Sequence, residues 1–302
     1  MDSRTASPGG ATGLLLEDFS VEMTGKDVPA LHEAEHLLPA GTRINVTFLG
    51  NEDLSMRLTA ARAVKDLGFE PVPHLSARRM PSRAAFEEFL SRLRADGTSG
   101  RVFAVGGDPA VPEGPYEDAL ALIRSGLLEQ YGVRQVGVCG YPEGHPAITG
   151  PQLWSALEQK AAALAGRGIP GHVITQFGFD PGPVLGWIEE LRDRGIHLPV
   201  RVGVPGPAGV RRLLGYAARF GVGTSAGIAR KYGLSLTHLV GTAGPDRFLR
   251  ALSEGYDPQR HGTVKLHFYS FGGLRATAEW VAAFRETIPA AEVGEASPCR
   301  KP

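Results

Sequence analysis

The sequence is poor in the features that would tie it to a membrane, a polyanion or an oxidising compartment. Only two cysteines occur, Cys139 in an apolar run and Cys299 near the end, which argues against a disulfide framework and sets a reducing cytoplasm as the expected location. No window reaches about 18 uninterrupted apolar residues, so no membrane span is expected. Met1-Asp2-Ser3-Arg4-Thr5 lacks the basic segment and apolar core of a secretory signal. Lys+Arg and Asp+Glu balance at 32 each, leaving no basic field to attract nucleic acid or anionic lipid. No glycine-rich dinucleotide fingerprint follows the first strand, and neither a Walker phosphate loop nor a G-x-S-x-G nucleophile elbow occurs.

What the 302 residues do contain is an alternation of short apolar runs and helical patterns. The clearest unit is Val173 to Phe177, β-branched and aromatic, followed by Asp180-Pro181 and the helical stripe Val184, Leu185, Trp187, Ile188, Leu191 up to Gly195. Strands are expected at 18–23, 43–48, 70–75, 101–105, 134–139, 173–177, 198–204 and 263–269. Helices are expected at 28–38, from 53 to Gly68, from Ser82 to Gly97, at 115–129, after Pro151, at 184–195, after Val210 and at 273–286. This alternation predicts an α/β protein, a single-domain (β/α)8 TIM barrel over 17–286. Residues 1–16 and 287–302 are expected to be flexible ends, and 221–254, a region of loop and helix, the largest irregular stretch. Val136, Val138, Val173, Val202 and Val204 are expected to fill the barrel interior.

Polar residues recur where these strands end: Glu22, Thr47, His74, Asp108, Tyr141, Glu143, His145, Gln176 and Tyr269. In a barrel, strand ends far apart in sequence converge on one mouth. Glu22 is the candidate acid, because partial burial is expected to raise its pKa; a solvated strand-end carboxylate is the plain alternative. Asp108, on Gly106-Gly107-Asp108-Pro109, suits the N–H donors of a heterocycle with amino and amide edges, or forms a simple Asx-Pro turn. The Gln176 amide suits a ligand contact at the mouth, or a satisfied core group. His74, Glu143, His145 and His267 match no compact metal signature, so no metal is expected. Trp154 and Trp187 read as helix-packing residues.

The segments Phe19-Ser20-Val21-Glu22, Val46-Thr47, Pro73-His74-Leu75-Ser76, Gly107-Asp108-Pro109, Tyr141-Pro142-Glu143-Gly144-His145-Pro146, Ile174-Thr175-Gln176-Phe177-Gly178-Phe179-Asp180 and Leu266-His267-Phe268-Tyr269 resemble, in order, those of the methylenetetrahydrofolate reductase family. The resemblance implies reduction of 5,10-methylenetetrahydrofolate to 5-methyltetrahydrofolate, with FAD as cofactor and NADH or NADPH as hydride donor. It places Glu22 as the proton donor in ring opening and Asp108 beside flavin and pterin. Gln176 falls on a folate contact, and Thr47, His74, Asp108, Tyr141, His145 and Lys160 on the flavin site.

Departures concentrate on the flavin side. The family's arginine before Gly-Asp is Gly106 here, and its basic run after Pro146 is reduced to Ser155, Glu158, Gln159 and Lys160. A lost phosphate contact costs about 1.5–3 kcal/mol per charged hydrogen bond. Two versions therefore stand, one that holds FAD and one in which hydride passes directly from nicotinamide to folate. A metal-dependent barrel hydrolase and a non-catalytic, reductase-like partner subunit are the alternatives from other classes. Oligomeric state and the choice between NADH and NADPH stay open.

Overall fold

The computed structural model describes residues 8–50, 52–222 and 242–288. Its barrel strands are β1 (Ser20–Met23), β2 (Arg43–Val46), β3 (Glu70–Ser76), β4 (Arg101–Val105), β5 (Gln135–Gly140), β6 (Gly171–Phe177), β7 (Val200–Pro205) and β8 (Val264–Tyr269). All pair in parallel with their neighbours, and β8 closes on β1 through Ser20–His267 and Val21–Phe268. This closed eight-stranded barrel with surrounding helices is the predicted architecture. Helices start where a short polar side chain can take an otherwise unpaired N–H. Asp53 accepts from Met56, Ser82 from Ala85 and Asp118 from Ala121.

Alternation along each strand decides what the barrel encloses. Val21, Ile44, Val102, Leu266 and Phe268 join the main core shared with the helices. So do Val136, Val138, Val173, Val202 and Val204, which corrects their expected place inside the barrel. Each stands one residue out of step with the inward set. Inside is a small apolar plug of Val72, Phe103 and Ile174, with Val105 and Cys139 against it. Gly137 makes room for it, since a Cβ there would come within 2.7 Å of the Phe103 ring and 2.8 Å of His172. Toward the N-terminal ends the interior is ionic. Arg201 donates to the Asp18 carbonyl and carboxylate, Arg43 pairs with Asp18, and Arg101 pairs with Glu70. The opposite end, where the strands finish, is polar as well, with Glu22, His74 and His267 inside it.

Several boundaries differ from expectation. The stretch before Glu17, expected to be flexible, is helical from Pro8 to Leu16, because Leu15 and Leu16 bury against β8 and the helix Asp246–Gly255. That second helix falls in the 221–254 stretch expected to mix loop and helix, runs one residue past it, and leaves 223–241 outside the described residues. The helix expected at 28–38 turns 3-10 after Ala34. The one expected at 115–129 is two short helices, Ala119–Arg124 and Leu127–Gln130, parted at Gly126 with φ of 78°. Of the expected flexible C-terminal end, all beyond 288 is outside the described residues.

Candidate active site

Glu22 occupies the third position of β1, and the barrel register brings two histidines to it. Its Oε2 lies 3.6 Å from His267 Nε2 on β8 and 3.9 Å from His74 Nε2 on β3. Both rings are buried, while the Glu22 side chain is 21% exposed, so the carboxylate forms the floor of the mouth with the imidazoles beneath it. The rings are held in turn. His267 Nδ1 is 2.9 Å from Ser20 Oγ, His74 Nε2 is 3.3 Å from Asn45 Nδ2, and the Phe103 ring lies 4.9 Å from that of His74. Ser20 and Asn45 were not singled out from the sequence. Their signal was a polar period of two shared by neighbouring strands: Ser20 and Glu22, Asn45 and Thr47, His267 and Tyr269.

Burial pushes the His74 pKa down from 6.5 to about 4, against the attraction of Glu22. His74 is therefore a neutral imidazole at physiological pH. Its folded pKa lies below its unfolded one, so its contribution is complete above pH 6.5 and is lost as pH falls toward 4. The difference corresponds to roughly 3 kcal/mol. A His74→Gln variant is expected to lose less stability than the parent between those two pH values, measured by urea unfolding; parallel curves would show that His74 charges freely in the folded protein.

Gln176 reaches the mouth through a local irregularity. The register between β6 and β7 slips between Ile174 and Phe177, a bulge that re-aims the residues it contains. Thr175 Oγ1 accepts the Gly203 N–H at 2.8 Å, and the Thr175 carbonyl accepts the Tyr269 hydroxyl at 2.9 Å. Gly203 is required at this crossing, since a Cβ would lie 2.5 Å from the Thr175 oxygen and 2.6 Å from that of Gln176. Both polar atoms of the Gln176 amide are buried without a hydrogen-bond partner in the protein. A buried amide in that state costs about 1–3 kcal/mol, which makes it a place for a ligand or water to bind. Next in sequence, Phe177 joins Tyr269, Phe271 and Tyr216 in an aromatic cluster, with ring centroids 4.2–5.8 Å apart. Burial, with the Glu22 charge second, pushes the Tyr269 hydroxyl well above its ordinary pKa.

The other side of the mouth is built from the residues that follow β2, β3, β4 and β5. Thr47 Oγ1 donates to the Met23 carbonyl at 3.2 Å. Gly107, at φ of 96°, turns the β4 loop hard against Ser76 Oγ, 2.4 Å from where a Cβ would stand, and delivers Asp108 to the rim. Asp108 is 68% exposed and ion-paired with Arg79. Tyr141 stands edge-on to His145 at 5.5 Å, and the Cys139 thiol beside it, then burial, push its hydroxyl well up in pKa. His145 Nδ1 accepts the Ala147 N–H at 3.1 Å. Lys160 is half-buried, its pKa lowered by burial, with Cys139 and Asp118 as the groups that favour its charge. A cavity of about 190 Å³ opens here between Tyr141, Leu153, Trp154, Leu157 and Trp187, with the two indoles stacked at 5.3 Å.

The sequence itself matches the model of one protein family, described as methylenetetrahydrofolate reductase, over residues 17–211. The chain belongs to the methylenetetrahydrofolate reductase family. A relative in the family is methylenetetrahydrofolate reductase 2 of Saccharomyces cerevisiae (strain ATCC 204508 / S288c), 28% identical over 152 residues. That alignment takes in 48% of this chain and 24% of the yeast protein, so the chain spans only part of its relative's length. Among solved structures, an uncharacterized protein from Clostridium thermocellum that binds two copies of 5-methyl-5,6,7,8-tetrahydrofolic acid superposes with a TM-score of 0.58. Its identity is 10%, over 89% of this chain and 94% of that one, a likeness of fold. The family's expected positions Glu22, His74, Asp108, Tyr141, His145 and Gln176 all lie at the same, C-terminal end of the barrel. Lys160 sits back in the helix layer. Of the metal candidates, His74 and His267 share Glu22; among the described residues no three His, Cys, Asp or Glu gather as a metal site. No described helix is long and apolar enough to cross a membrane.

Proposed function

We propose that this barrel reduces 5,10-methylenetetrahydrofolate to 5-methyltetrahydrofolate with hydride from NADH or NADPH, in a cytoplasmic setting. The observation that carries the reading is Glu22 on the floor of a mouth whose wall holds an unpartnered, buried Gln176 amide. Family membership supports a reduced folate as substrate, and the barrel likeness to a protein that binds methyltetrahydrofolate agrees with it. Glu22 donates its proton to the departing ring nitrogen, the methylene carbon becomes an iminium, and hydride adds to that carbon. One hydride and one proton are consumed for each methyl group formed. Gln176 receives an edge of the pterin, and Asp108 accepts from its N–H groups while favouring the cationic iminium.

The groups implied for FAD are a poor fit to it. Thr47 gives its hydroxyl proton to the Met23 carbonyl, and Lys160 is half-buried beside Cys139 and Asp118. Of the residues implied for FAD, only Tyr141 lines the cavity of about 190 Å³, whose other walls come from the helices that carry Trp154 and Trp187. No step is therefore drawn through a flavin, and a nucleotide that must bind and leave at every turnover needs no permanent cage. Anaerobic NADH and NADPH oxidation, with methylenetetrahydrofolate and with or without added FAD, tests this beside the protein's absorbance spectrum. Folate-dependent oxidation by a colourless protein is expected. A yellow protein whose activity follows its flavin would restore FAD, and metal-dependent activity abolished by a chelator would point to a hydrolase instead.

A further inference from the structure

The residue that engages Asp108 is Arg79, at the end of the 3-10 turn Ala77–Arg79 that follows β3. Its guanidinium donates from Nε at 2.9 Å and from Nη2 at 2.7 Å to the same oxygen, Asp108 Oδ1, and its Nη1 lies 3.5 Å from Glu113 Oε1. The cation is the covered partner, 18% exposed against 68% for Asp108. The turn that carries it is strapped to the β4 loop on both sides. Arg78 N–H donates to the Gly106 carbonyl and Glu113 N–H to the Arg78 carbonyl, each at 2.8 Å. The Arg78 side chain adds bonds to the carbonyls of Pro109, Ala110 and Glu117. From the β2 loop, Gly50 lies flat against Arg79, where a Cβ would come within 2.6 Å of both terminal nitrogens.

We infer that Arg79 is a positioning residue for Asp108: by occupying Oδ1 it presents Oδ2 as the acceptor for an amino or amide N–H edge of a heterocyclic substrate. The inference rests on the folate reading above. An exposed carboxylate left to itself samples several rotamers, whereas a charge-assisted pair of hydrogen bonds selects one. Exposed ion pairs add little to folding stability, so the loss of this one should register in substrate binding and hardly in melting.

The test uses calorimetric binding of 5-methyltetrahydrofolate together with steady-state kinetics on the full chain. Arg79→Ala is expected to weaken binding and raise the folate KM roughly tenfold, with kcat within about threefold of the parent. Arg79→Lys should recover only part of this, because one ammonium cannot supply the two-nitrogen contact. Combined with Asp108→Ala, Arg79→Ala should cost nothing beyond Asp108→Ala alone. Gly50→Ala, which displaces the guanidinium without removing its charge, should move KM in the same direction and covers the case in which Arg79→Ala does not fold. Unchanged binding in Arg79→Ala or Gly50→Ala, or additive losses in the double variant, would overturn the inference alone. A parent protein that binds no folate would overturn the folate reading and this inference with it.

Discussion

Glu22→Gln should reduce folate-dependent turnover by about a hundred- to ten-thousandfold, the range lost with a general acid, while 5-methyltetrahydrofolate still binds. Glutamine keeps the shape of the side chain and can still face His267 and His74, but it has no acidic proton for the leaving nitrogen. The two imidazoles do not replace it. His74 is neutral, with a pKa of about 4, and both rings lie under the carboxylate rather than beside open space. The measurement is kcat by anaerobic stopped flow, with ligand binding on the same preparation. Turnover that survives the substitution would remove Glu22 from the chemistry. A parent with no turnover at all would favour a non-catalytic partner subunit.

The second large effect has opposite signs in two assays. Gln176→Leu removes a buried amide whose two polar atoms have no protein partner, so the variant should be more stable by about 1 kcal/mol in urea unfolding without ligand. The same variant should bind 5-methyltetrahydrofolate about ten- to a hundredfold more weakly, the worth of one or two hydrogen bonds made in a buried site. Stabilisation without a binding defect would mean that water, not folate, satisfies the amide. Destabilisation with binding intact would make Gln176 an ordinary core residue.

What the sequence showed of this site follows from barrel geometry. Glu22, His74, Asp108, Tyr141 and Gln176 were visible because each stands at the end of an apolar run, and parallel strands bring such ends together. The direction in which interior side chains point was less legible. Val136 and Val202 face the helices because a shift of one residue exchanges inside for outside, and apolar runs buried on both faces do not reveal their phase. The bulge at Thr175 was hidden for a related reason, since it depends on Gly203 of the neighbouring strand. Arg79 could not be paired with Asp108 from sequence, because nothing local separates it from Arg78, whose guanidinium serves backbone carbonyls instead. The helix Pro8–Leu16 has no charged residue and three glycines, and its contact with β8 and the helix Asp246–Gly255 explains the burial of Leu15 and Leu16.

The fate of hydrogen at the reacting carbon tests the account most directly. NADH or NADPH deuterated at the transferable C4 position would be turned over with methylenetetrahydrofolate in ordinary water, and the product methyl group examined by mass spectrometry and NMR. Direct transfer predicts one deuterium in each methyl group formed. A methyl group carrying only solvent hydrogen, with the label washed out through an exchangeable flavin, would contradict it.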